Sequence, residues 1–280
     1  MTDADFARFC EFLYRRTGML FTPAKRYFVD RRLAERMKAT LSRSFGVYLA
    51  LLRSDADGEV EKLINAFTIN ETYFYREDHQ LRCLTSSLLP ELVGRKPPGS
   101  TVRIWSMPCS TGEEPYSVAI WLLETWPEVD RYDVEIVGSD IDTRALAAAE
   151  EGHYGERALM RLSPELVARY FVREETRLGP SWRILAELRD SVRFTPCNLT
   201  DTAEMAVHGL FDVVFCRNVL IYFDDASRRL AADNIYDVLV PGGFVCLGHT
   251  ESMSRISPLF RVCRYDDAIV YRRPREGEHV

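Results

Sequence analysis

The chain has 280 residues, a net charge of −6 and 46% apolar content, the composition of a folded globular protein with room for two modest domains. No apolar run reaches the ~18–20 residues that a bilayer span requires, and Asp3, Asp5 and Glu11 interrupt the start, where a secretory signal would be apolar. The acidic balance argues against general nucleic-acid binding, and seven cysteines without a C-x-x-C pair fit reduced thiols in a cytoplasmic protein better than a disulfide scaffold; no metal is expected.

Residues 1–78 read as helical. Phe6, Phe9, Phe12 and Leu13 recur at helical spacing, Pro23 suits the first turn of a second helix running to Thr40, and Phe45–Leu52 and Glu59–Phe67 form two more. Lys25, Arg32, Arg36 and Lys38 fall in the second helix, and at about 100° per residue Lys25, Arg32 and Arg36 lie in one narrow arc. Such a stripe is either a solvated helix face or a surface that steers an acidic partner. The polar and aromatic run from Thr68 to Glu77 then leads out of the helical part. It is either an interdomain turn or a segment closing over a ligand.

A further helix is expected over Leu81–Leu92, followed by a breaker-rich linker at 94–100. From residue 100 the pattern alternates. Strands are predicted at 102–107, 134–139, 192–195, 212–216, 244–248 and 268–272, and helices near 114–126, 143–151, 164–171 and 225–239. This is the pattern of a mostly parallel sheet with helices on both faces. A small antiparallel insertion is expected at about 170–195, from the stretches Tyr170–Val172, Trp182–Ile184 and Ser191–Phe194.

The turn after the first strand decides the class of ligand. It reads Ser110-Thr111-Gly112-Glu113-Glu114-Pro115-Tyr116-Ser117, and strand, tight turn and helix open a nucleotide-binding unit. It carries one glycine and two adjacent carboxylates instead of G-x-G-x-x-G. A pyrophosphate is repelled by that pair, whereas a ligand with a cationic end is held. S-adenosylmethionine (SAM) has no phosphate, one amino group and one sulfonium, so the turn points to a methyl donor rather than to NAD. Of the two carboxylates, Glu114 is favoured as the ligand contact and Glu113 as a partner of the helix dipole.

Other candidates lie at strand ends. Asp140 closes the strand at 134–139, where an acidic residue binds ribose hydroxyls in doubly wound folds; a turn or cap role is the alternative. Asp142 is placed to cap the helix beginning at Thr143. Asn198 and Leu199 are an ordinary turn or an adenine edge and face. Asn218 and Tyr222 are a cap and a core residue, or an amide and a phenol at the reacting centre. Pro241-Gly242-Gly243 reads as structural. His249 and Glu251 are an acid–base pair or a solvated strand end.

Taken together the motifs resemble those of the CheR family, the chemotaxis chemoreceptor glutamate O-methyltransferases. The resembling segments are Thr68-x-Asn70-x-Thr72-x-Phe74-x-Arg76, the Ser110–Ser117 turn, Ser139-Asp140-Ile141-Asp142-Thr143, Phe215-Cys216-Arg217-Asn218-x-x-Ile221-Tyr222-Phe223 and Gly248-His249-Thr250-Glu251-Ser252, and they span nearly the whole chain in order. The chain departs from the family in having Met107-Pro108-Cys109, where small residues are common.

The resemblance implies a small all-α N-terminal domain over residues 1–78. It implies a Rossmann-like SAM-dependent methyltransferase domain over 79–280, with a β-subdomain at about 170–195. It implies SAM as donor and S-adenosylhomocysteine as product, with Asn70, Thr72, Arg76, Glu114, Asp140, Ile141, Asn198, Leu199, Asn218 and Val219 lining the donor site. Arg76 and Tyr222 would lie nearest the transferred methyl. Lys25, Arg32, Arg36 and Lys38 would face the methylated helices of a chemoreceptor cytoplasmic domain. A receptor C-terminal peptide could add to the β-subdomain edge, and a cytoplasmic monomer without nucleic acid or membrane insertion is expected. The competing reading is a noncatalytic SAM-binding signalling scaffold, against which Arg76 and Tyr222 argue.

Overall fold

The computed structural model describes residues 1–55, 58–177 and 179–278. Four helices come first: α1 (Asp3–Thr17), α2 (Arg26–Ala39, preceded by a 3-10 turn at Pro23–Lys25), α3 (Phe45–Ser54) and α4 (Glu59–Phe67). Thr2 and Asp5 form a capping box at the start of α1, and Gly18 ends it in the left-handed conformation. Phe67 gathers the aromatic core of this part, with the rings of Phe9, Phe21 and Phe28 centred 5.4, 5.5 and 5.9 Å away.

The helix expected over Leu81–Leu92 is interrupted. It runs as α5 (Asp78–Cys83), a π-helical turn (Leu84–Leu88) and α6 (Leu89–Val93). Pro90 is the cause: it has no N–H to donate within the helix and its ring crowds the preceding turn, so the backbone widens just before it.

The alternating part supplies β1 (Thr101–Ser106), α7 (Glu113–Thr125), β2 (Asp133–Asp140), α8 (Thr143–Glu151), β3 (His153–Tyr154), α9 (Glu156–Leu159), α10 (Pro164–Tyr170), β4 (Phe171–Thr176), β5 (Gly179–Ile184), α11 (Ala186–Asp190), β6 (Val192–Pro196), α12 (Thr202–Ala206), β7 (Phe211–Cys216), α13 (Asp225–Asp237), β8 (Leu239–Leu247), β9 (Arg261–Arg264) and β10 (Ile269–Arg272). Seven strands form one sheet in the order β6-β2-β1-β7-β8-β10-β9. The first five are parallel, and β10 and β9 are antiparallel. The mostly parallel sheet is therefore as expected. The strand β9 was not foreseen because its four residues, three of them Arg or Cys, carry no apolar alternation; charge of this kind suits a sheet edge.

Alternation along the strands sorts side chains to two faces. Trp105, Val214 and Val245 share a core with α1–α4, while Ile104, Val213 and Phe244 pack with α5–α7 on the other side. The N-terminal helices thus share one core with that face of the sheet and with α12 and α13, whose Met205, Ala231 and Ile235 belong to it too.

The small sheet has the order β3-β5-β4 and is antiparallel. Of the three stretches expected there, Ser191–Phe194 does not take part. Residues Val192–Pro196 pair in parallel with Ile136–Asp140 in the main sheet, and the two-residue strand His153–Tyr154 takes the vacant edge of β5. Strand direction decides this: β6 follows the short helix α11 and enters parallel to β2.

Because strand order reverses about β1, with β2 on one side and β7 on the other, a crevice opens beyond their carboxyl ends, where doubly wound sheets bind ligands.

Candidate methyl-donor site

The loops that leave the carboxyl ends of β1, β2, β6 and β7 line this crevice. After β1, Gly112 has φ 92° and opens α7. A side chain there would meet the Cβ of Ala149 at 2.8 Å and the Tyr154 hydroxyl at 3.1 Å, so only glycine fits the turn. Glu113 is buried, accepts from Thr111 Oγ1 at 2.6 Å and has its carboxyl pushed up by burial. Glu114 faces the crevice instead and accepts from Ser106 Oγ at 2.7 Å and from Arg217 Nη1 at 2.8 Å.

After β2, Asp140 receives Ser110 N on one oxygen at 2.8 Å and Asp142 N on the other at 2.9 Å. Burial pushes its carboxyl up to about 6, against the opposing pull of these backbone donors, and the Asp142 charge raises it further. Asp142 caps α8 as expected, accepting from Arg144 N and Ala145 N.

After β6, the Asn198 side chain is engaged locally: Oδ1 accepts from Thr200 N and Oγ1, and Nδ2 donates to Arg16 O. It still borders the crevice, as does buried Leu199. After β7 comes Arg217, whose side chain is 4% exposed and lies between Glu114 at 2.8 Å and Glu77 at 3.3 Å. Asn218 then takes φ 59°. The turn that follows is fixed by Glu251, which accepts from Asn218 N, Leu220 N and Gly248 N at 2.8, 2.8 and 2.9 Å. His249 and Glu251 therefore do not act as a pair. The His249 ring lies 2.9 Å from Glu77 instead, and Glu251 is engaged by backbone amides.

The crevice has two lobes. An apolar lobe of about 770 Å³ is lined by Met19, Phe21, Phe67, Met107, Ile141, Leu199, Val219 and Phe223, with Asp140, Asn70 and Asn198 at its polar points. A polar lobe of about 970 Å³ is lined by Thr72, Tyr73, Arg76, Glu114, Ser117, Arg217 and Ile221. Ile69, Pro108, Ser110, Asn218 and Tyr222 border both lobes and mark their junction. Arg76 donates to Glu71 O at 2.7 Å and stands 5.9 Å over the Tyr73 ring. All ten residues expected at a donor site thus lie around one crevice, together with Tyr222.

The basic stripe is not uniform. Lys25 and Lys38 are exposed, and Arg32 stacks 4.0 Å over the Phe28 ring. Arg36 turns inward and makes a bidentate pair with buried Glu59, at 3.0 and 2.6 Å, which also accepts from the Tyr48 hydroxyl at 2.7 Å. Its charge answers a buried carboxylate, so it is a structural cation of the helical part.

Sequence reading missed Arg217, Met19, Phe21, Phe67 and Met107. Arg217 stands inside the strand-end motif, and its position directly before Asn218 was the available signal. Met107 follows β1, and Met19, Phe21 and Phe67 come from the helical part. Met19 bridges Phe223, and Leu20 N donates to Tyr222 O at 2.9 Å, a pairing that no local pattern announces.

The lobes fit SAM by the chemistry of their donors. An apolar lobe with an acidic acceptor suits adenosine. The neighbouring Glu114 carboxylate and Arg217 guanidinium suit an ammonium and a carboxylate, and Arg217 Nε is buried without a partner among the described residues. Models of two protein families match the chain: the CheR methyltransferase all-alpha domain over residues 4–68 and the CheR methyltransferase SAM-binding domain over residues 70–269. The chain belongs to the CheR methyltransferase family. It is 47% identical to chemotaxis protein methyltransferase 2 of Vibrio cholerae, over 99% of this chain and 96% of that one. It is 34% identical to chemotaxis protein methyltransferase 1 of Pseudomonas aeruginosa (96% and 98%) and 36% identical to the chemotaxis protein methyltransferase of Escherichia coli (93% and 88%). The CheR protein described here is accordingly a SAM-dependent methyltransferase of chemotaxis.

The Glu251 arrangement gives a first expectation. Glu251→Ala strands three backbone donors, each costing about 1–3 kcal/mol when left unpaired in a buried place. The expected result is a fall in stability of at least ~2 kcal/mol in denaturant melts, with faster amide exchange across residues 218–222.

Proposed function

We propose that this CheR methyltransferase forms methyl esters on glutamate side chains of the cytoplasmic helices of chemoreceptors, and that it acts in the cytoplasm during sensory adaptation. The observation that carries the reading is the composition of the junction between the lobes. Tyr222 borders both, Arg76 stands in the polar one, and among the described residues no histidine lines either lobe. An amine or hydroxyl acceptor must lose a proton to be methylated. A glutamate does not, because with a pKa near ~4.3 it is already an anion at neutral pH.

SAM supplies a methyl group on a sulfonium. A glutamate oxygen forms the new C–O bond as the S–CH₃ bond breaks, the sulfur becomes a neutral thioether, and no proton moves. What the chain contributes is a dry, aligned encounter, worth about 7–11 kcal/mol where geometry is good. Arg76 holds the acceptor carboxylate or shapes the donor end beside Tyr73, and the Tyr222 hydroxyl orients the nucleophile. Too tight a grip on the carboxylate would stabilise the ground state and slow the reaction.

Acceptor docking is assigned to the exposed Lys25 and Lys38 with Arg32, and Arg36 supports them from below through Glu59. Such charge steers an acidic helix to an otherwise acidic protein. A receptor C-terminal peptide would add a strand at the edge of the β3-β5-β4 sheet. Each ester removes one negative charge from the receptor and relieves like-charge repulsion along its helices.

Two measurements test this. With a chemoreceptor cytoplasmic fragment as acceptor, mass spectrometry should find methyl groups on glutamates, released as methanol by alkali; label stable to alkali would refute ester formation. Arg76→Ala should lower turnover at least ~100-fold, about 2.7 kcal/mol, in a protein with an unchanged melt. Near-normal turnover would remove Arg76 from the mechanism.

Asp140 gives a pH dependence. Its folded carboxyl is raised to about 6, so the ligand-free protein carries the extra proton below that value. A ribose hydroxyl pair needs the carboxylate as acceptor, so donor binding must release that proton. SAM affinity should therefore weaken as pH falls through about 6, by up to ~tenfold per unit, and Asp140→Asn should flatten the profile. A flat wild-type profile between pH 5 and 7 would contradict the assignment.

A further inference from the structure

Asp142 is fully buried, and capping α8 uses only one of its carboxylate oxygens. Oδ1 accepts from Arg144 N and Ala145 N, both at 3.0 Å. Oδ2 points the other way, toward the segment joining the helical part to the α/β part. There it accepts from Thr68 Oγ1 at 2.5 Å and from Asn70 Nδ2 at 2.8 Å. Two pulls from one oxygen fix that segment where it enters the crevice.

The pull on Asn70 has a consequence for the site. With Nδ2 committed to Asp142, Asn70 must present Oδ1 to the crevice, where it accepts from Ser110 Oγ at 3.1 Å. Ser110 N in turn donates to Asp140, and Asp142 N donates to the other oxygen of Asp140. Asp142, Asn70, Ser110 and Asp140 therefore close a ring of hydrogen bonds in the wall of the apolar lobe. Three of the four border that lobe directly; Asp142 lies behind them. A neutral asparagine flips its amide at little cost, but a carboxylate, which only accepts, selects one orientation. Charged acceptors also make the stronger hydrogen bonds.

We infer that Asp142 is a positioning residue of the donor site: through its second oxygen it sets the amide orientation of Asn70 and draws the 68–70 segment over the adenosine side of SAM. It does not touch the donor. This inference rests on the assignment of the crevice to SAM.

Two substitutions separate positioning from capping. Asp142→Asn and Asp142→Ser both keep a good N-cap for α8. Asparagine at this position presents a donor to the donor of Asn70, and serine is too short to reach it. Binding is read by calorimetry with SAM, and folding by thermal melt. Wild-type binding checks the site itself: no binding at all would remove that assignment rather than the role of Asp142. Given wild-type binding, both variants should bind SAM at least ~10-fold more weakly with melts close to wild type. Affinity within twofold of wild type in either variant would overturn the inference. So would a loss of affinity matched by a collapse of the melt in both.

A cycle with Asn70→Ala tests the route. If Asp142 acts through Asn70, then Asp142→Asn placed in the Asn70→Ala protein should cost less than ~2-fold further. Full additivity, the behaviour of independent sites, would show that Asp142 does not work through Asn70.

Discussion

Backbone amides at the carboxyl ends of parallel strands must find partners without filling the space that a ligand needs. In this protein three carboxylates meet that constraint. Asp140 takes two amides, Asp142 takes two, and Glu251 takes three. Water cannot reach all of these groups, and an unpaired buried amide is costly. The loops after β1, β2 and β7 are therefore held open by acceptors seated behind them, and the crevice they enclose is formed before any ligand arrives.

The same choice sets the electrostatics. A site lined by Asp140 and Glu114, with Glu77 and Glu251 behind that lining, repels phosphates and favours a cation. Arg217 lies between Glu114 and Glu77, and its guanidinium keeps the field from being uniformly negative. Burial pushes the Glu77 carboxyl up, but Arg217 and His249 outweigh burial and hold it below its usual range. A donor that is zwitterionic at one end and cationic at the sulfur matches this mixture. The helical part completes the enclosure. Phe21 and Phe67 belong to its aromatic core and line the apolar lobe as well, so packing of α1–α4 and the shape of the donor site are one problem.

Much of this was legible in the chain because strand ends are marked locally. Gly112 between Thr111 and two glutamates, Asp140 after an apolar strand, and Asn218 after Phe211–Cys216 each announce a loop at the carboxyl end of a strand. Such loops converge in any doubly wound sheet. What was not legible depends on pairing at long range. The inward turn of Arg36 follows from Glu59, which lies on another helix. The exclusion of Ser191–Phe194 from the small sheet follows from the direction in which β6 enters. The bond from Asn198 to Arg16 O crosses from the α/β part to the end of α1, and helical periodicity says nothing about it. The interruption before Pro90 could have been anticipated, since proline forbids the regular ladder there.

The most direct test of the account is a crystal structure of this protein with S-adenosylhomocysteine. The account places the adenine between Ile141, Leu199 and Val219, the ribose hydroxyls on Asp140, and the amino-acid end between Glu114 and Arg217. The sulfur would then face Tyr222 and Arg76. A product bound with its ends exchanged between the lobes, or outside the crevice, would contradict it.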